Sequence, residues 1–128
     1  LAADGVGHVL AQLGPTIGAC GFSSLAATPA WLATDTARAF TRAYIKTRDY
    51  MNDASASEIA KAEKPLFPDI DLEVLTDCIA TYQAMGCWTR HIDITQDGYD
   101  AMLNIFEYDG KLPQRYSYDQ VCTLPPTV

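Results

Sequence analysis

Few side chains in this 128-residue chain are of a type that does covalent chemistry. There are two histidines, His8 and His91, and four cysteines, Cys20, Cys78, Cys87 and Cys122. Neither histidine lies in a His-Glu-x-x-His helix or any other spaced metal motif, and a lone histidine is more often a surface or capping residue. The cysteines are separated by 58, 9 and 35 positions, with no Cys-x-x-Cys and no Cys/His pair at zinc-ligand spacing, so a structural zinc site is not expected. If Cys78 and Cys87 end one helical segment they are too far apart to bridge. Cys20 with Cys122 is an open pairing, and the plainer reading is four small buried or half-buried thiols. No Gly-x-Ser-x-Gly elbow, P-loop or dinucleotide fingerprint is present. "DITQDGYD" lacks the alternating oxygen ligands and the closing Glu of a calcium loop. No cofactor is expected. What remains is recognition of a small molecule by a few polar and aromatic groups. The stretch "CGFSSLAAT" offers Gly21 for close backbone approach, Phe22 for stacking, and the hydroxyls of Ser23 and Ser24. These four are the candidate ligand-binding residues, against the alternative that Phe22 is core and the serines satisfy a turn.

The elements that must position them follow from pattern. "GHVLAQLGPTIGACGFSSLAATPAWLAT" is poor in charge and rich in Gly, Ala and Pro, which predicts turns and a short extended stretch near residues 18–28, ending before Pro29. Helices follow. Thr34 or Asp35 can cap one whose apolar positions Ala37, Phe40, Ala43, Tyr44, Thr47 and Met51 recur at three and four, with Arg38, Arg42 and Lys46 on another face. The face carrying Phe40, Ala43, Tyr44 and Met51 is expected to be packed. Ser-x-x-Glu at 55–58 has the form of a capping box, opening a short helix that stops before Pro65. A third helix is predicted from about Asp71 to Met85, closed by Gly86, and Asp69, Asp71, Glu73 and Asp77 suit its N-terminal turn and dipole. A fourth starts at Thr95, with Ile94 and Tyr99 as a hydrophobic staple, and stops at Gly110. Trp88 is expected to anchor the intervening loop. "TLPPTV" reads as a tail.

Composition narrows the function classes. A formal charge of -7 with scattered Lys and Arg opposes nucleic-acid binding. No apolar run approaches the roughly 18 residues of a membrane helix. An extended stretch needs partners for its backbone groups, and none is evident in the remaining sequence, which suggests strands supplied from elsewhere.

Taken in order, "GFSSLAATPAWLATDTARAFTRAYIKTRDYMND", "GCWTRHIDITQDGYDAMLNIFEYDGKL" and "YSYDQV" resemble the C-terminal part of the substrate-binding proteins of nitrate, sulfonate, taurine and thiamine-pyrimidine ABC transporters, a family that includes the eukaryotic thiamine-pyrimidine synthases. The resemblance runs from about residue 7 to residue 122. Its specificity lies in the ordered set: a strand returning from the second lobe, the helix with Phe40, Ala43 and Tyr44, the Gly-x-Trp at Gly86 and Trp88, the helix ending at Gly110, and the closing Tyr118 and Asp119. The resemblance implies an α/β fold, the C-terminal portion of a two-lobed periplasmic-binding-protein-like structure. Residues 1–20 would end the second lobe and form the hinge, and residues 21–122 would form the mostly helical C-terminal part of the first. It further implies a solute-binding component of an importer, periplasmic or extracellular. Its partners would be a small-molecule ligand, an ABC permease, and an N-terminal lobe from the same protein or a second chain. The cysteine-rich motif of the pyrimidine synthases is absent, so ligand identity does not carry over. An enzyme on the same fold, with His8 or His91 and a cysteine as reactive groups, and a stand-alone helical interaction module are the alternatives.

Overall fold

The computed structural model describes residues 4–21 and 23–128, and among them there is no β-strand. Seven α-helices account for most of the order: α1 Gly14–Ile17, α2 Pro29–Leu32, α3 Asp35–Asp53, α4 Ala56–Glu63, α5 Leu72–Ala84, α6 Gln96–Tyr108 and α7 Tyr118–Val121. A 3-10 turn, Lys64–Leu66, follows α4.

The expected α/β, two-lobed fold is therefore overturned: the described residues are helix and loop. The physical reason lies in residues 18–28. Those of them that are described avoid helix, but a strand exists only through hydrogen bonds to a neighbouring strand. The backbone N–H of Gly21 donates to the carbonyl of Gly98, in the first turn of α6, at 2.9 Å. Ala, Ser and Gly lack the branched and aromatic surfaces that hold a pleated neighbour, so nothing in this stretch compels a sheet.

The chain forms two compact units, each with its own contacts. One comprises Thr47–Arg90 and the segment ending at Ile17; the other comprises Gly18–Lys46 and His91–Val128.

In the first unit, Ser55 closes a capping box. Its hydroxyl accepts the Glu58 N–H, and Glu58 accepts from the Ser55 N–H at 3.0 Å, so two otherwise orphaned donors are satisfied. α4 packs on α5 through the adjacent Ile59 and Ala60 on one helix and Leu75 and Ile79, four apart, on the other. Trp88 packs against this cluster and stacks on Tyr82 at 5.7 Å, so it is the expected anchor of the loop after α5. Asp71 caps α5 by accepting the Glu73 N–H at 2.8 Å. Gly86, at φ +66°, ends it with a backbone conformation that side chains disfavour.

In the second unit, Thr95 caps α6 by accepting the Gly98 N–H at 3.1 Å. Tyr99 and Leu103, four apart, are buried. The hydroxyl of Tyr99 donates to the Tyr116 carbonyl at 3.0 Å and that of Tyr118 to the Ile94 carbonyl at 2.5 Å, with the two rings edge to face. Arg115 holds the exposed side of α6 by reaching Asp100, Asn104 and Glu107.

α3 begins with Thr34 as its cap, the hydroxyl accepting the Ala37 N–H at 3.1 Å. Its buried positions are Ala37 and Thr41. The expected face is corrected accordingly: Phe40 is 46% exposed and Ala43 is exposed, while Tyr44 and Met51 are half-buried. Periodicity places the stripe to within a residue. The inward side is taken by the small Ala37 and by Thr41, whose hydroxyl is satisfied by the Ala37 carbonyl at 2.9 Å.

Candidate functional site

Of the four candidate residues, Phe22 lies outside the described residues, and Gly21, Ser23 and Ser24 are placed. Gly21 is committed to packing. A methyl group on it would meet the Ile94 side chain at 3.0 Å and the Gly98 carbonyl at 3.6 Å, so the loop approaches the start of α6 as closely as glycine permits. Ser23 and Ser24 are exposed.

Immediately after them the chain forms an open depression of about 360 Å³ lined by Ala26, Ala27, Thr28 and Trp31. Its shape is set locally. Thr28 caps α2 by accepting the Trp31 N–H at 3.2 Å, and Pro29 occupies the first helical position, where its missing N–H costs nothing. The Thr34 hydroxyl donates to the Trp31 carbonyl at 2.7 Å, locking the turn into α3.

Trp31 opens a row of aromatic rings. It meets Phe40 edge to face at 5.9 Å, and Phe40 lies nearly parallel to Tyr44, with centroids 6.1 Å apart. Trp31 and Phe40 are both exposed. The charged groups of α3 are directed elsewhere: Arg38 pairs with Asp35, and Arg42 and Lys46 stand two and six positions from Phe40, roughly on the opposite side of the helix. The depression and the ring row therefore present π faces and methyl groups with the Thr28 hydroxyl, and the exposed Ser23 and Ser24 precede them in the chain. Sequence reasoning found Phe40 and Tyr44 but assigned them to packing, and it passed over Trp31 and Thr28. The detectable signal was Thr-Pro-x-Trp, a cap followed by proline at the first position.

The groups considered for catalysis are dispersed. His8 is exposed, and His91 Nδ1 lies 3.2 Å from the Asp93 carbonyl oxygen and 3.4 Å from its carboxylate. Asp100, in the rejected calcium-like stretch, faces Arg115. Among the described residues no group of three or more His, Cys, Asp or Glu could hold a metal ion. All four cysteines are free thiols. Cys20 and Cys122 are half-buried, as expected, and burial pushes the Cys122 thiol above the usual range. Cys78 and Cys87 are exposed, which corrects the expectation for that pair: Cys78 lies off the side of α5 that Leu75 and Ile79 turn to the core.

Comparison with known proteins finds one similarity. The chain is similar to a binding protein. The relative is "Putative binding protein YtlA" of Bacillus subtilis (strain 168), 27% identical over 119 residues, which is 91% of this chain and 36% of that protein. The chain thus spans about a third of that relative's length. No family model matches the chain, and no solved structure matches it. Among the described residues no helix is long and apolar enough to cross a membrane.

Proposed function

We propose that the chain takes part in binding a small, planar, uncharged organic molecule, such as a pyrimidine-like heterocycle, on the surface running from Ser23 and Ser24 through Trp31 to Phe40 and Tyr44. The single observation behind a binding role is the similarity to a curated binding protein along 91% of the chain. The ligand class rests on the lining: aromatic faces favour stacking, and the Thr28 hydroxyl, with the exposed Ser23 and Ser24 shortly before it in the chain, supplies directional bonds without charge. Sulfonate and nitrate ask for cationic or convergent N–H donors, which this lining does not offer. In the wider setting, the reading is a solute-binding component of an ABC importer, periplasmic or extracellular, that hands its ligand to a membrane permease and works with a further lobe or second polypeptide. It does not depend on a sheet in this chain, and it needs no catalytic residue.

The test is a thermal-shift and tryptophan-fluorescence screen across neutral pyrimidines, taurine, sulfonates and nitrate. A ligand at about a hundred times its Kd adds about 2.7 kcal/mol, a rise of several degrees in Tm. Neutral heterocycles should shift Tm and quench fluorescence, and Trp31→Ala should remove both responses. Shifts by the oxyanions alone, or a response that survives Trp31→Ala, would overturn the assignment. The helical architecture favours one second reading, a helical interaction module, in which the exposed apolar side chains engage a protein instead of a solute.

A further inference from the structure

Residues 66–77, in the first unit, read "LFPDIDLEVLTD". Five of their apolar side chains face solvent to a substantial degree: Leu66 is 76% exposed, Phe67 42%, Ile70 38%, Leu72 36% and Val74 37%. The core cluster of this unit is Ile59, Ala60, Leu75 and Ile79, and none of the five belongs to it. Leu72 and Val74, two positions apart on α5, point to different sides of that helix, so the concentration of the kind associated with interfaces is centred on Leu66, Phe67 and Ile70 in the turn before it.

Two further observations narrow the occupant. The same stretch carries Asp69, Asp71, Glu73 and Asp77, all exposed, and among the described residues none of them has a Lys or Arg at ion-pair distance. Asp71 accepts a backbone N–H as a helix cap, which leaves its charge in place. The lysine just upstream is turned away from these carboxylates. Lys64 Nζ donates to the carbonyls of Phe67, Pro68 and Ile70 at 3.3, 3.0 and 2.5 Å. That ammonium holds the turn carrying Leu66, Phe67 and Ile70 in one conformation, so little ordering cost remains for binding.

We propose that this surface docks a protein segment whose apolar side chains are flanked by Lys or Arg, in the manner of a basic amphipathic helix. The apolar side chains supply burial, and the four carboxylates set the sign of the partner and its orientation. Charge disfavours the other occupants. A second copy of this chain would set the same acidic rim against itself, and an anionic lipid surface would be repelled. The inference is independent of ligand binding near Trp31.

The experiment uses the whole chain and three fluorescent helical peptides: one with leucines on one face and lysines on the other, one with glutamates in place of the lysines, and one with lysines but no leucines. The Leu/Lys peptide should bind by anisotropy, with affinity falling as salt rises from about 50 to 300 mM. Leu66→Ser with Ile70→Ser should weaken it by about tenfold or more. Asp69→Asn with Glu73→Gln should do likewise, and this pair leaves the apolar residues untouched if the first fails to fold. Asp97→Asn with Asp119→Asn, an equal change of charge in the second unit, should leave it within about twofold, as should Trp31→Ala. Equal binding of either control peptide, equal weakening by the Asp97/Asp119 pair, or self-association of the chain abolished by Leu66→Ser would each overturn the proposal.

Discussion

Gly21 shows a close backbone approach made within the chain itself. A glycine between Cys20 and Phe22 signals close backbone approach, and the approach is real, but it is made by the N–H of Gly21 to the carbonyl of Gly98 and by the side chain of Ile94. The contact leaves no room for a methyl group, so Gly21→Ala should cost about 1 kcal/mol, the low end of overpacking because the loop can give slightly. Gly7→Ala, where nothing lies within 4 Å, is the control and should stay within about 0.5 kcal/mol of the parent. Urea midpoints for the two variants check this, and equal midpoints would show that the Gly21–Ile94 contact carries no stability. Tyr118 illustrates the opposite sort of residue. It was read as part of a closing Tyr-Asp pair, and only the fold reveals its hydroxyl on the Ile94 carbonyl, with burial foremost and the neighbouring Cys122, Asp93 and Asp119 next in holding its ionisation above the ordinary range.

At the scale of elements, helix ends are where local sequence and structure agree most closely. The Ser55–Glu58 box, the Asp71 and Thr95 caps and the stops at Gly86 and Gly110 all involve partners within a few residues. Ser55→Ala should therefore cost about 1 kcal/mol at neutral pH. The Ser55 hydroxyl first, and then its backbone N–H, hold the Glu58 carboxyl below the usual carboxylate range. A depressed folded value means that the stabilisation is present above the ordinary value near 4 and is lost as pH falls through the folded one. Asp53, lowered chiefly by its hydrogen bond to Arg90, behaves with the same sign. The stability gap between parent and Ser55→Ala, followed by urea melts at stepped pH, should thus be constant from pH 7 down to about 5 and narrow below about 4. A gap that widens on acidification would contradict the capping geometry. Faces were less legible than ends. Periodicity identifies α3 as amphipathic and puts Ala37 on its apolar stripe, but the stripe's inward edge runs through Ala37 and Thr41 and leaves Phe40 and Ala43 exposed, because a stripe of mixed Ala, Thr and aromatic residues has no sharp edge.

For the whole molecule, the central correction is the loss of the expected sheet. Far-UV circular dichroism and amide-I infrared spectra of the chain should show helix with no resolved strand component, and a clear strand band would contradict the all-helical architecture of the described residues. A small core is the other feature at this scale. Among the described residues Ile59, Leu75, Ile79, Tyr99 and Leu103 are the large buried apolar side chains, while many others, from Val9 and Leu10 to Leu66 and Tyr108, remain exposed. Exposed apolar surface of this extent is of the kind associated with interfaces, the premise shared by the proposed ligand surface near Trp31 and the proposed docking stretch at 66–77.

The amino-acid sequence by itself determined the four principal helices, their caps and stops, the anchoring Trp88 and the acidity that opposes nucleic acid, because each of these depends on neighbours three or four positions away or on composition alone. It also carried the resemblance to binding proteins. Only the tertiary structure decided that the described residues of 18–28 have no strand beside them, that Gly21 is sealed against α6 while Trp31 is open, that Cys78 and Cys87 face solvent, and that Lys64 turns onto its own backbone. Pairing, exposure and ion-pair partners are set by how elements meet, and spacing along the chain does not encode which surfaces will find each other.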